Sequence, residues 1–394
     1  MATSLLSPVS HPGARPKIAI GLGGTDLGRS GIGVYARELI PRIARLAIAH
    51  GGRVYVFGTR REMAAYRDVL GDTSPYVLPR YLDLPAASAA WYALRANALA
   101  ADLGANVVLH LAGNRRVDGS EHSIGRVAVV HDLAQFHVAG KYDASRMLYV
   151  RHVLRRSLAS VDAIVAPSTA TANDIAEHIA GPRAHVVPNG VDTQRFVPMN
   201  VDDARCRAAR EALGVRRPYM IYPARFELPG KNHLRLLRAF AAAGAARTHD
   251  LVLSGADWGG LAAVRAEIDR LGISDAVRIP GFVDGAVLPA AIAAADAVAM
   301  VGLHEGFGLP ALEALACGVP VVAATSGSLP EVLGPLAAYA NPLDEHALAK
   351  AVRCVLSDEV LRARTRVEGP RHAARFTWNR TAVELFARCE QVMR

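Results

Sequence analysis

Residues 296 to 324 constrain the fold more tightly than any other stretch. DAVAMV (296–301) is an apolar run too short for a helix and without polar alternation, the pattern of a strand buried on both faces of a parallel sheet. It leads through the Gly-bearing turn HEGFGL to Pro310, which suits the start of a helix because its φ is already helical and its missing N–H is not needed there. Gly318 suits a left-handed cap, and VPVVAA (319–324) supplies the next strand. A strand, loop, helix and strand in this order join two parallel strands by a crossover, so a chain that repeats the unit builds an open α/β sheet. The N–H groups of Gly308, Leu309 and the first helical turn are then expected beyond the strand ends, where the helix dipole favours an anion such as a diphosphate.

The same alternation runs through the chain. PKIAIGL (16–22), RVYVFG (53–58), NVVLHL (106–111), VAVVHDL (127–133), the start of AIVAPSTATANDIAEHI (163–179) and AHVVPNGVD (184–192) read as strands of a first half. PYMIYPARF (218–226), DLVLSGAD (250–257), VRIPGFV (277–283), the unit above and AAYANP (337–342) read as strands of a second. At 394 residues the chain exceeds one ordinary core. Two α/β domains are expected, 1–198 with residues 1–15 as a loose tail, and 199–378, with a terminal helix over 379–394. The boundary is set where MNVDDARCRAAR returns to polar, helix-like sequence.

Composition narrows the partners. No uncharged apolar run reaches about 18 residues, so no transmembrane helix is expected, and the N-terminus lacks the pattern of a secretory signal. Cys206, Cys317, Cys354 and Cys389 show no paired spacing, which implies reduced thiols, no zinc site and a cytoplasmic location. Up to residue 190 there are 21 Lys and Arg against 14 Asp and Glu; beyond it, 24 against 22. A basic first half suits nucleic acid, an anionic membrane surface or an acidic substrate, and the absence of an aromatic-rich basic stretch puts nucleic acid last.

Several residues stand where chemistry is expected. Glu305 lies in the loop beyond a strand end and Glu313 in the first turn of the next helix; ligands of open α/β sheets bind at that edge, though either acid also reads as a solvated charge. Arg225 and Lys231 bracket a Pro-Gly turn after the first strand of the second half, placed to converge on one diphosphate. Gly31 and Gly33 sit where a Gly-rich loop enters a helix, which suits close approach of a ligand or tight strand–helix packing equally. His131 ends a strand and has a near-neutral pKa, and it also reads as a hydrogen-bonded loop histidine. Residues 143–162 read as one basic amphipathic helix with Arg146, Arg151, Arg155 and Arg156, either a solvated face or a face for an anionic bilayer.

In this order, ARFELPGKN, VVHDL, PSTATANDI, VVPNGVD, GFV and the Glu-x7-Glu pair of HEGFGLPALEALACGVPVVA resemble the retaining glycosyltransferases of family 4, from Gly31 to Trp378. The resemblance implies the GT-B fold, two facing Rossmann-like doubly wound domains with a C-terminal helix crossing back to the first. It implies that Arg225 and Lys231 bind the donor diphosphate, that Glu305 contacts the transferred sugar, and that Glu313 holds the ribose. Backbone at Gly306, Phe307, Gly308 and Leu309 would complete the cradle, Phe282 and Val283 would meet the base, Gly31 and Gly33 would approach the diphosphate or the acceptor, and His131 would sit near the transferred sugar on the acceptor side. No metal and no cofactor are implied. The tract from VVHDL to VAPS resembles bacterial mannosyltransferases of cell-surface polysaccharide assembly that use GDP-mannose, which implies a glycan acceptor. The basic first half suits an acceptor linked to a lipid diphosphate, met by peripheral contact with an anionic inner membrane. UDP- or dTDP-sugars are the alternative donors, and a nucleotide-sugar epimerase or a nucleotide-sugar-binding module is the alternative of another class.

Overall fold

In the computed structural model, which describes residues 15–120 and 123–394, each half of the chain forms its own all-parallel sheet. The first contains β1 (Lys17–Gly21), β2 (Arg53–Gly58), β3 (Ser74–Val77), β4 (Val107–His110), β5 (Gly125–Val129), β6 (Ala163–Ala166) and β7 (His185–Val186), in the order β3-β2-β1-β4-β5-β6-β7. The second contains β8 (Tyr219–Pro223), β9 (Asp250–Ser254), β10 (Val277–Gly281), β11 (Ala297–Met300), β12 (Val321–Ala324) and β13 (Ala337–Ala340), in the order β10-β9-β8-β11-β12-β13. Strands β4, β5, β6, β9, β11 and β12 are buried along their whole length; β6, β11 and β12 are apolar throughout, whereas β4 ends on His110, β5 carries Arg126 and β9 runs from Asp250 to Ser254.

Both sheets reverse their winding once, between β1 and β4 in the first and between β8 and β11 in the second. At such a switch point the two flanking connections leave to opposite faces, and a crevice opens beyond the carboxyl ends of the central strands. The loops after β8 and β11 therefore meet, although about 80 residues separate them in sequence.

The described residues up to Leu133, Ala144–Asn189 and Trp378–Arg394 form one compact unit; Ala134–Asp143 and Gly190–Thr377 form the other. The division at Asn189/Gly190 precedes the 198/199 boundary expected from sequence, and Ala134–Asp143 leaves the half in which the sequence placed it. The terminal helix, Trp378–Val392, belongs to the first unit. There the Trp378 ring meets Tyr35 edge-on at 5.9 Å, Thr381 Oγ1 donates to the Pro188 carbonyl at 2.7 Å, and Leu385, Phe386 and Cys389 are buried. Each large apolar side chain covered in this way contributes about 1.5–3 kcal/mol. The loose-tail expectation for residues 1–15 falls outside the described residues except at Arg15, whose carbonyl accepts from Asn106 Nδ2 at 2.9 Å.

Three local readings change. Strand β3, SPYV, gives no strand signal because it is short, exposed and carries Pro75, features tolerated only at a sheet edge. The helical stretch expected over 143–162 is broken by a π-turn over Val150–Leu154, between helices Ala144–Tyr149 and Arg155–Ser160. The helix after β11 begins at Leu309, so Glu313 lies in its second turn rather than its first, and it is buried. Among the described residues, no helix is long and apolar enough to cross a membrane.

Candidate functional site

The β8 loop is built to hold a lysine still. Tyr222, fully buried near the end of β8, donates its hydroxyl to the Lys231 carbonyl at 2.7 Å. Asn232, in the left-handed region at φ 57°, sends its amide to the carbonyls of Val301 and Pro342 at 3.0 and 2.7 Å, tying the loop to the end of β11 and to the stretch after β13. The Lys231 Nζ then meets both carboxylate oxygens of Glu305, at 2.8 and 3.0 Å. Glu305 is fixed in turn. Its carbonyl accepts from the Ser328 N–H and hydroxyl at 2.9 and 3.0 Å, and Gly327, at φ +67°, packs so closely on its backbone that a Cβ there would clash.

Arg225, on the same loop, is held from two sides. Its guanidinium pairs with Glu227 Oε2 at 2.5 Å and lies 4.4 Å above the Trp258 ring, which is itself half exposed. The loop bearing Trp258 is pinned by the N–H groups of Trp258 and Gly260, both donated to the Phe226 carbonyl at 3.1 Å. Burial pushes the Glu227 carboxyl up, but Arg225, Lys141 and Lys231 outweigh it and hold the group below the usual carboxylate range. The second unit therefore brings Arg225, Lys231 and Glu305 together at the switch point of its sheet, with each cation resting against a carboxylate.

Gly306, Phe307, Gly308 and Leu309 form the turn that follows. Gly308 caps the helix Leu309–Ala316 at φ +84°, a conformation that suits Gly, and a Cβ there would strike Leu329. Among the described residues, the N–H groups of Gly308 and Leu309 have no acceptor, which leaves them for an anion at the positive end of the helix. Glu313, one turn further, is 8% exposed, and burial raises its pKa to about 7, with Arg195 opposing. Ligand hydroxyls donating to this carboxylate would offset its desolvation. Phe282 is exposed and Val283 half-buried in the loop after β10.

A consequence for stability follows from Glu313. Its folded pKa lies above the ordinary 4.5, so the native state holds the proton more tightly and stability falls as pH rises from about 4.5 to about 7, then stays lower. The full penalty for ionised Glu313 is on the order of 3 kcal/mol. Glu313→Gln should therefore raise Tm more at pH 8 than at pH 5 in thermal melts without ligand; an equal shift at both pH values would show that the carboxyl is not held protonated.

The first unit places Gly31 and Gly33 at the start of helix Gly31–Ala49, after the loop that follows β1. Ser30 caps that helix by accepting the Gly33 N–H at 3.4 Å, and a Cβ on Gly33 would stand 2.5 Å from the Gly28 Cα. Close loop–helix packing thus uses Gly33 directly. His131, just past β5, donates its Nε2 proton to the Leu111 carbonyl at 2.7 Å and faces the Tyr35 ring edge-on at 4.8 Å. Burial lowers its pKa to about 4, so it is neutral at physiological pH.

Two profiles of known sequence families match adjoining parts of the chain. The family described as Glycosyltransferase Family 4 covers residues 29–195, and Glycosyl transferases group 1 covers residues 207–372. Both families are described as glycosyltransferases, and together they match most of the chain. Among curated relatives, a D-inositol 3-phosphate glycosyltransferase of Salinispora arenicola is 37% identical over 242 residues, 57% of this chain and 53% of that protein. An MMP alpha-(1->4)-mannosyltransferase of Mycolicibacterium hassiacum is 28% identical over 246 residues, 61% of this chain and 56% of that protein. The chain thus spans about half the length of the curated relatives it matches. Sucrose-phosphate synthase from Thermosynechococcus elongatus shares the fold with a TM-score of 0.72 at 20% identity, over 94% of this chain and 97% of that one. The two Rossmann-like units are those of the GT-B fold.

Glu227, Lys141 and Trp258 belong to the site without a signal in the sequence that marks them. Glu227 follows Arg225 by two residues, a spacing that carries no signal by itself; Lys141 arrives from another part of the chain; Trp258 is a lone aromatic after β9, legible only once β9 is known to lie beside β8.

Proposed function

We propose that the protein transfers a hexose from a nucleotide sugar to an acceptor hydroxyl, with retention of anomeric configuration and without a metal ion. The observation that supports this reading most is the convergence of Arg225 and Lys231 from the β8 loop with Glu305 from the β11 loop, beside the helix N-terminus at Gly308. In such a transfer the bond from the sugar C1 to the leaving phosphate oxygen breaks, the acceptor oxygen takes its place, its proton passes to the departing diphosphate or to water, and negative charge grows on the diphosphate as it leaves. Two preplaced cations and the free N–H groups answer that charge. Glu305 orients sugar hydroxyls and Glu313 the ribose; no side-chain nucleophile is assigned.

Mannose from GDP-mannose is the donor we propose, on the resemblance of the tract after β5 to mannosyltransferases and on the name of the 28% identical relative. The proposed acceptor is a glycan or a lipid-diphosphate-linked glycan of the cell surface, met at the cytoplasmic face of an anionic membrane. Arg146, Leu148, Arg151, Val153, Arg155 and Arg156 are all exposed on the helical stretch 144–160, a mixture suited to that surface. A second reading, a phosphorylated cyclitol as acceptor, is favoured by the name of the 37% identical relative.

The test is NMR of the product formed from GDP-mannose with candidate acceptors. An acceptor-dependent glycoside with the donor's anomeric configuration, formed equally well with EDTA present, supports the proposal. Inverted product, or activity abolished by EDTA and restored by a divalent cation, would contradict retention or metal independence. Epimerised or free sugar without acceptor would favour the epimerase reading.

A further inference from the structure

The segment 134–143 follows β5 but packs with the second unit. Lys141 is its one Lys or Arg, and its side chain is 11% exposed. Lysine is rarely this covered unless a charge answers it. The Lys141 Nζ lies 3.7 Å from Glu227 Oε1, while Glu227 Oε2 takes Arg225 at 2.5 Å. One carboxylate thus stands between two cations brought from distant parts of the sequence. The same segment stacks the His137 ring on His304, the residue before Glu305, at 4.2 Å and nearly parallel. The segment therefore touches both loops that build the charged site.

Lys141, Arg225 and Lys231 together face two carboxylates, Glu227 and Glu305. The cluster keeps one positive charge in excess where water is largely displaced, a balance that an anion would complete. We propose that Lys141 is a third cation for the donor diphosphate, with Glu227 as the positioning residue that holds it beside Arg225. The inference rests on the donor-site reading above. A dianionic diphosphate entering this cluster meets three cations instead of two, and Glu227 keeps them from repelling one another before the donor arrives.

The test is calorimetric titration of the full chain and of Lys141→Met and Lys141→Arg with GDP, UDP, dTDP and ADP, and with the matching nucleosides. The expected result is that the nucleoside diphosphate bound by the unaltered protein binds about tenfold more weakly to Lys141→Met and regains most of its affinity in Lys141→Arg, with nucleoside affinity unchanged throughout. Unchanged diphosphate affinity in Lys141→Met overturns the inference alone. So does an equal weakening of nucleoside and diphosphate, which would mark Lys141 as a prop for the segment. If the unaltered protein binds none of the four diphosphates, the donor-site reading falls, and this inference falls with it.

Discussion

Lys231→Ala should lower kcat/KM by about 100- to 1,000-fold, the usual loss when one preplaced donor to a developing negative charge is removed. The lysine backbone is fixed from Tyr222 at 2.7 Å and its ammonium from Glu305 at 2.8 Å, so the charge is set in place before a donor arrives. Its loss also leaves Glu305, 9% exposed, without its cation. Nucleoside diphosphate affinity should fall by about 1.5–3 kcal/mol, the range of a charge-assisted hydrogen bond. Steady-state kinetics and calorimetry on the variant check both, and wild-type values for both would remove Lys231 from the site.

Glu305→Gln separates turnover from nucleotide binding. If Glu305 meets hydroxyls of the transferred sugar, kcat with the full donor should fall by about 10- to 100-fold. Affinity for the bare nucleoside diphosphate should hold or tighten, because the neutral amide no longer competes with phosphate for Lys231. The gap between the two effects is the diagnostic. Equal losses of kcat and of nucleoside diphosphate affinity would place Glu305 on the phosphates.

Much of this site is legible in the amino-acid sequence. The apolar run at β11, Pro310 near the helix start and Gly318 past its end describe a strand–helix–strand unit in local terms, and local geometry sets those choices. The convergence of Arg225 and Lys231 with Glu305 is accessible too, because open parallel sheets gather their loops at the carboxyl edge. What sequence does not carry is pairing across distance. Lys141 meets Glu227 only because residues 134–143 leave their own half, and neither composition nor periodicity encodes that excursion. Trp258 reaches Arg225 through the adjacency of β8 and β9. The Glu313 environment is hidden for a different reason: the helix Leu309–Ala316 is buried nearly all round, and the helices packed on it, among them Leu288–Ala293 and Glu359–Ala373, come from other parts of the chain.

His131 shows the opposite case, a residue whose type suggests chemistry and whose surroundings limit it. Burial keeps it neutral and its Nε2 proton is committed to the Leu111 carbonyl, so in this geometry it offers neither a charge nor that proton. His233 is likewise buried, between Tyr222 and Phe226 at ring distances of 5.0 Å, and burial lowers its pKa to about 4. It packs as an aromatic beneath the lysine loop.

The measurement that bears most directly on the donor site is calorimetric binding of GDP, UDP, dTDP and ADP to the purified protein, with Arg225→Ala beside it. One nucleotide should bind selectively and lose about 1.5–3 kcal/mol of affinity in the variant, since the Arg225 fork, held by Glu227 and Trp258, is then lost. Binding of none of the four, or equal binding to both proteins, would contradict a diphosphate site at the β8 and β11 loops.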